Sequence, residues 1–85
     1  MAEIVWDEFR LVRAIAEARS LAGAADTLGI NHSTVFRRLG ALEKAMGARL
    51  FERSRTGYAP TAAGEKMVDL ANHIARKRKL GLPAS

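Results

Sequence analysis

The sequence predicts a mostly α-helical domain: a winged helix-turn-helix, with a three-helix core and a short β-hairpin wing, followed by a long linker or dimerisation helix. Three observations predict it. Apolar residues recur at three- and four-residue steps over four segments, the period of helices that each bury one face. The second and third segments are separated only by Gly29-Ile30-Asn31, a helix stop followed by a capping residue. Between the third and fourth segments, a polar Ser54-Arg55-Thr56-Gly57 turn is flanked by short strand-like runs.

The first helix is expected from Trp6 to Ala18, because Trp6, Phe9, Val12, Ile15 and Ala16 share one side while Arg10, Arg13 and Glu17 occupy the other. Ser20 is a good N-cap for a second helix, Leu21 to Leu28, whose Ala24, Ala25 and Leu28 allow another helix to approach closely. Gly29 supplies the left-handed residue that ends it. Asn31 caps the third helix, and Ile30 before the cap can pack on Val35 as a hydrophobic staple. In that helix Val35, Leu39, Leu42 and Met46 form an apolar stripe, with Ser33, Arg37, Gly40 and Lys44 opposite. Thr34 and Arg38 flank one side, Phe36 the other, and His32 stands in the first turn. Gly47 marks the end of the helix.

Arg49-Leu50-Phe51-Glu52-Arg53 and Gly57-Tyr58-Ala59 read as the two strands of the wing. Leu50 and Phe51 break strict alternation, so at least one of them should close the core under the hairpin. Pro60, which has no ladder donor, is expected to end the pairing. Thr61 can cap a fourth helix from Ala62 to about Lys79, with Met67, Leu70, Ala71 and Ile74 in a stripe and Arg76-Lys77-Arg78-Lys79 at its end. This helix is longer than a small core needs. Its stripe is therefore expected to pair with a second copy, giving a homodimer through the fourth helix, with a core packing role as the alternative. The expected division is 4–61 for the winged domain, 62–80 for the dimerisation helix and 81–85 for a frayed tail.

Composition narrows the function classes. At 85 residues, 48% hydrophobic and 27% charged, the chain reads as one small globular domain, with no room beside its core for a separate small-molecule domain. No apolar run approaches the roughly 18 residues of a membrane span, and the acidic start carries no secretory pattern, so a soluble cytoplasmic protein without a membrane partner is expected. Without cysteines, and with His32 and His73 far apart, no disulfide, metal or cofactor is expected. Catalysis is not expected either. Ser20, Ser33 and Ser54 have no activating motif, Asp7 and Glu8 complement a helix dipole, and Gly23 and Gly81 lie in no phosphate loop.

The charge is uneven. Residues 1–19 hold three basic and four acidic side chains (−1), residues 20–61 six and three (+3), and residues 62–85 five and two (+3). The basic excess on the third helix, wing and tail suits a polyanion, because phosphate neutralisation releases counterions. A helix that begins with small polar residues and carries Arg37 and Arg38 has the form that reads base edges in a major groove of double-stranded DNA. Arg37 can offer two donors to guanine, Ser33 can donate or accept, and the Ser20 and Asn31 caps leave helix N-termini whose amides favour phosphate. Phe36 is either a core-edge aromatic or a contact to base or sugar, such as a thymine methyl, and Arg38 is either solvated or a DNA contact. The basic run at residues 76–79 is either a solvated helix end or a phosphate contact. The competing reading is a winged helix used as a protein-interaction module, with the basic surface serving solubility.

The run Phe9 to Ala16, Ser20-Leu21, Ala24-Ala25, Leu28-Gly29-Ile30, Ser33-Thr34-Val35, Arg37-Arg38-Leu39 and Leu42-Glu43 closely resembles the N-terminal domain of LysR-type bacterial transcriptional regulators. The resemblance continues through Gly47, Arg49-Leu50-Phe51-Glu52-Arg53, Gly57-Tyr58 and Thr61-x-x-Gly64-Glu65, spanning about residues 4–75. It implies that the third helix enters the major groove with His32, Ser33, Phe36 and Arg37 near bases. It further implies that Arg53 and Arg55 of the wing reach the backbone or minor groove, and that the fourth helix pairs antiparallel with that of a second subunit, so that two half-sites are read. Three departures stand out. His32 and Phe36 occupy places where the family often has glutamine and serine, and Pro60 and Ala59 replace a larger aliphatic and an often basic residue. The family's effector-binding domain has no counterpart in these 85 residues.

Overall fold

The computed structural model describes residues 6–79, with side chains through residue 77; the expected tail at 81–85 lies outside the described residues. The elements follow in the order α1 (Trp6–Ala18), α2 (Leu21–Leu28), α3 (His32–Met46), β1 (Phe51–Ser54), β2 (Gly57–Pro60) and α4 (Ala62–Lys79). Helix α1 is the hub, packing against both α2 and α4 and also touching α3 and β2. Being covered from two directions, it buries Leu11 and Ala14 as well as Val12 and Ile15, a wider face than its one-sided pattern implied.

The helix ends are set locally. Ser20 is extended at φ −156°, and its Oγ accepts the Gly23 amide at 2.9 Å. Gly29 and Gly47 sit in the left-handed region at φ 68° and 67°. In each case the next residue reaches back five positions, Ile30 N–H to the Ala25 carbonyl and Ala48 N–H to the Glu43 carbonyl, so both α2 and α3 close in Schellman turns. Val35 is fully buried and Ile30 packs against the same core, as a staple requires. Met46 departs from its expected stripe and is exposed, since it ends α3 a full turn beyond Leu42, the last buried position.

The wing is an antiparallel hairpin with Phe51 opposite Pro60, Glu52 opposite Ala59, Arg53 opposite Tyr58 and Ser54 opposite Gly57. Leu50 and Phe51 are both buried and anchor it to the core. Pro60 is the last residue of β2, so the pairing ends there as expected, but not through a lost ladder donor. The reason is register. Thr61 N–H bonds the Leu50 carbonyl at 3.0 Å, so by antiparallel alternation Phe51 and Pro60 form a pair that exchanges no backbone hydrogen bonds, and a missing N–H costs nothing there.

Helix α4 starts where Thr61 Oγ1 accepts the Gly64 amide at 3.2 Å and donates to the Arg49 carbonyl at 2.6 Å. Gly64 is buried, and a Cβ there would fall into the Leu50 carbonyl, so only glycine lets the helix pass this close to the wing. The expected pairing stripe divides. Met67 and Ala71 are buried within their own chain, because α4 packs along α1, and this corrects their placement on a surface between two copies. Leu70 is 52% exposed and Ile74 is half-buried. Among the described residues, no helix is long and apolar enough to cross a membrane.

Candidate nucleic-acid interface

Helix α3 presents His32, Ser33, Phe36, Arg37 and Gly40 to solvent, a stripe spaced at i, i+1, i+4, i+5 and i+8. Phe36 is 65% exposed. Thr34 and Arg38, on the far flank, are half-buried and outside this stripe. The fold brings in residues from elsewhere: Ser20 and Ala22 from the start of α2, with Arg53 and Tyr58 from the wing, share an open groove with His32, Ser33 and Phe36. Arg55 is exposed in the hairpin turn.

Asn31 does more than cap. Its Oδ1 accepts the Ser33 amide at 2.8 Å and the Ser33 hydroxyl at 2.7 Å. With its proton committed to Asn31, the Ser33 hydroxyl faces outward as an acceptor. The side chain that could have read either kind of base edge is thereby oriented toward donors.

Three arginines outside this face are paired. Arg10 pairs with Asp7 at 3.5 Å, Arg13 with Glu17 at 3.3 Å and Arg49 with Glu43 at 3.8 Å. Among the described residues, no carboxylate pairs with Arg37, Arg38, Arg53 or Arg55. An unneutralised guanidinium on an exposed groove keeps its full fork of donors for an incoming anion. No group of histidine, cysteine or acidic residues that could hold a metal ion occurs among the described residues.

Two contacts that fix the wing relative to α3 escaped the sequence reading. The Glu43 carboxylate, 18% exposed, accepts the Leu50 amide at 2.8 Å and the Phe51 amide at 3.4 Å, tying the last turns of α3 to the entry of β1. On the other side, Tyr58 N–H donates to the Arg19 carbonyl at 2.9 Å, and Arg19 takes a left-handed conformation at φ 58° to present it. Gly57, at φ 120°, sits against that same carbonyl, where a Cβ could not fit. An acidic residue four before a helix-ending glycine is the only trace of the first contact in the sequence. The second has none, because it joins residues nearly forty apart.

The arrangement is shared with known proteins. The model of the bacterial regulatory helix-turn-helix protein, lysR family, matches residues 6–65. The HTH-type transcriptional regulator YkuM of Bacillus subtilis is 32% identical over 72 residues, which is 85% of this chain and 25% of YkuM, so the chain spans about a quarter of that relative. Among solved structures, a CbnR DNA-binding domain in complex with DNA superposes with a TM-score of 0.79 at 31% identity, covering 92% of this chain and 90% of that one. A BenM DNA-binding domain bound to benA site 1 DNA gives 0.81 at 25% identity, covering 91% and 90%. The fold is that of these winged helix-turn-helix domains, and the chain belongs to the lysR family of bacterial regulatory helix-turn-helix proteins.

Proposed function

We propose that this domain binds double-stranded DNA as the sequence-reading part of a bacterial transcriptional regulator, acting in the cytoplasm and carrying no catalytic role. The observation that carries the reading is the convergence of the unpaired Arg37, Arg53 and Arg55 on the exposed face of α3 and the wing, while Arg10, Arg13 and Arg49 have acidic partners. The solved relatives CbnR and BenM are similar over nearly the whole chain and hold DNA in their crystals, which supports it. In this reading α3 lies in the major groove. Arg37 offers paired donors to guanine O6 and N7, Ser33 accepts from a cytosine or adenine amino group, and His32 and Phe36 lie against neighbouring base edges. Arg53 and Arg55 contact the backbone or minor groove beside the wing, and the α2 and α3 N-termini, capped by Ser20 and Asn31, face phosphates. Thr34 and Arg38 serve at the margin.

A second copy completes the reader. Leu70 and Ile74 lie one turn apart on the flank of α4 that the core leaves uncovered, and a partner helix there would bury them. Two α3 helices related by a two-fold axis would then read two half-sites.

Fluorescence anisotropy with a duplex selected from a random library tests the reading. Affinity should fall linearly with log salt, with a slope of about −0.9 per phosphate contacted. Arg37→Ala should cost about 1–3 kcal/mol on the selected site and little on a scrambled one. A salt-independent interaction, or an Arg37→Ala titration unchanged on both duplexes, would favour the protein-interaction module instead.

A further inference from the structure

The first three helices all stop at a left-handed residue, but only two of them do so at glycine. Gly29 and Gly47 close α2 and α3, whereas α1 closes at Arg19, φ 58°, the one residue other than glycine with a positive φ among the described residues. A residue with a Cβ is disfavoured in this conformation and glycine is not, so the local backbone does not ask for arginine. Strain held in this way points to a task for the side chain. The root of that side chain is fixed from three sides. The Arg19 amide donates to the Ile15 carbonyl at 2.7 Å, the Arg19 carbonyl accepts the Tyr58 amide at 2.9 Å, and Gly57 of the wing lies so close that a Cβ there would come within 3.6 Å of the Arg19 Cβ. The side chain itself is exposed, and no carboxylate among the described residues pairs with it. Glu17, the nearest acidic residue in the sequence, is held by Arg13 at 3.3 Å.

We propose that the Arg19 guanidinium contacts a phosphate of the DNA strand that passes between α3 and the wing, a clamp from the α1–α2 junction that adds to the contacts of the wing itself. The inference rests on the DNA reading above. With α3 in the major groove and the wing beside the minor groove, one sugar–phosphate strand has to run between the two elements, because that strand is what separates the grooves. Arg19 stands at this seam. Its chain neighbour Ser20 lines the groove in front of α3 together with Arg53 and Tyr58, and its Cβ abuts Gly57, at the end of the turn that carries Arg55. A guanidinium presents a planar fork of donors that matches two phosphate oxygens, and without a carboxylate partner it breaks no ion pair on binding. A backbone root held by three contacts also leaves less freedom to be lost. Because the contact meets the DNA backbone, it strengthens binding to any sequence rather than selecting one.

The test uses the 85-residue chain and two duplexes of equal length, one selected from a random library and one scrambled, each titrated over about 0.05–0.2 M salt. In Arg19→Gly the slope of log affinity against log salt should become shallower by about 0.9 per bound subunit on both duplexes alike, which at about 0.1 M salt is an eight-fold loss of affinity per subunit. The melting temperature should meanwhile rise by about 4–8 °C, because the left-handed backbone no longer carries a Cβ. Arg19→Lys keeps a cation at the same place and should retain the unmodified slope. Arg10→Ala removes an arginine that Asp7 already engages and should leave the slope unchanged. The proposal is overturned if Arg19→Gly keeps the original slope, as a charge serving only the end of α1 would, or if its loss is confined to the selected duplex. It is equally overturned if Arg19→Lys is as shallow as Arg19→Gly, or if Arg10→Ala flattens the slope by the same amount, which would make net charge the cause. An unmodified chain that binds neither duplex would overturn the DNA reading and this inference with it.

Discussion

Glu43 is the residue whose removal should most clearly separate the wing from α3. Its carboxylate accepts the Leu50 amide at 2.8 Å and, more weakly, the Phe51 amide at 3.4 Å, and both of those residues are buried. A hydrogen bond to a charged acceptor contributes about 1.5–3 kcal/mol, and Glu43→Ala also strands donors that have no other partner at that depth. The expected loss is about 2.5 kcal/mol, which for a domain of this size lowers the melting temperature by about 10–20 °C. Glu43→Gln keeps one carbonyl acceptor and should lose roughly half as much, because charge assistance about doubles such a bond. The Arg49 guanidinium also lies near this carboxylate, but at 3.8 Å and with 73% of its side chain exposed. Arg49→Ala should therefore cost less than about 0.5 kcal/mol. Thermal and urea unfolding followed by circular dichroism would measure the series. A loss below about 0.5 kcal/mol for Glu43→Ala, or an equal loss for Arg49→Ala, would show that an ion pair or nothing at all holds the wing, and that the amide contacts have been overvalued.

Two further outcomes follow from the packing. Gly57→Ala should destabilise the domain by about 1–3 kcal/mol, since it combines a disfavoured φ with a collision at the Arg19 carbonyl, and hydrogen exchange should show the Tyr58 amide losing protection first. On α4, Met67→Ala should cost about 2–5 kcal/mol because Met67 is a core residue, while Leu70→Glu should leave unfolding nearly unchanged and shift sedimentation from dimer to monomer. A Leu70→Glu variant that sediments like the unmodified chain would place the pairing surface elsewhere.

Much of the site was legible because it is local. The Ser20 and Asn31 caps, the glycine stops at Gly29 and Gly47 and the exposed stripe of His32, Ser33, Phe36 and Arg37 each depend on residues within a turn or two of one another. Spacing along one helix carries that information. What stayed hidden involves distant partners. The Glu43 tie to the wing, the Arg19 carbonyl under Tyr58 and the clearance at Gly64 all join segments whose approach no periodicity records.

The two sides of α4 show the same division. The sequence by itself determined that α4 would be a helix with an apolar stripe, because a 3.6-residue period is a property of the chain alone. Which members of that stripe are core and which face outward was decided only when α4 lay down along α1, burying Met67 and Ala71 and leaving Leu70 in solvent. Likewise the sequence determined that arginines would be abundant on α3 and the wing. Only the tertiary structure decided which of them lack a carboxylate, since pairing depends on distances of a few ångströms between side chains that the fold must first bring together.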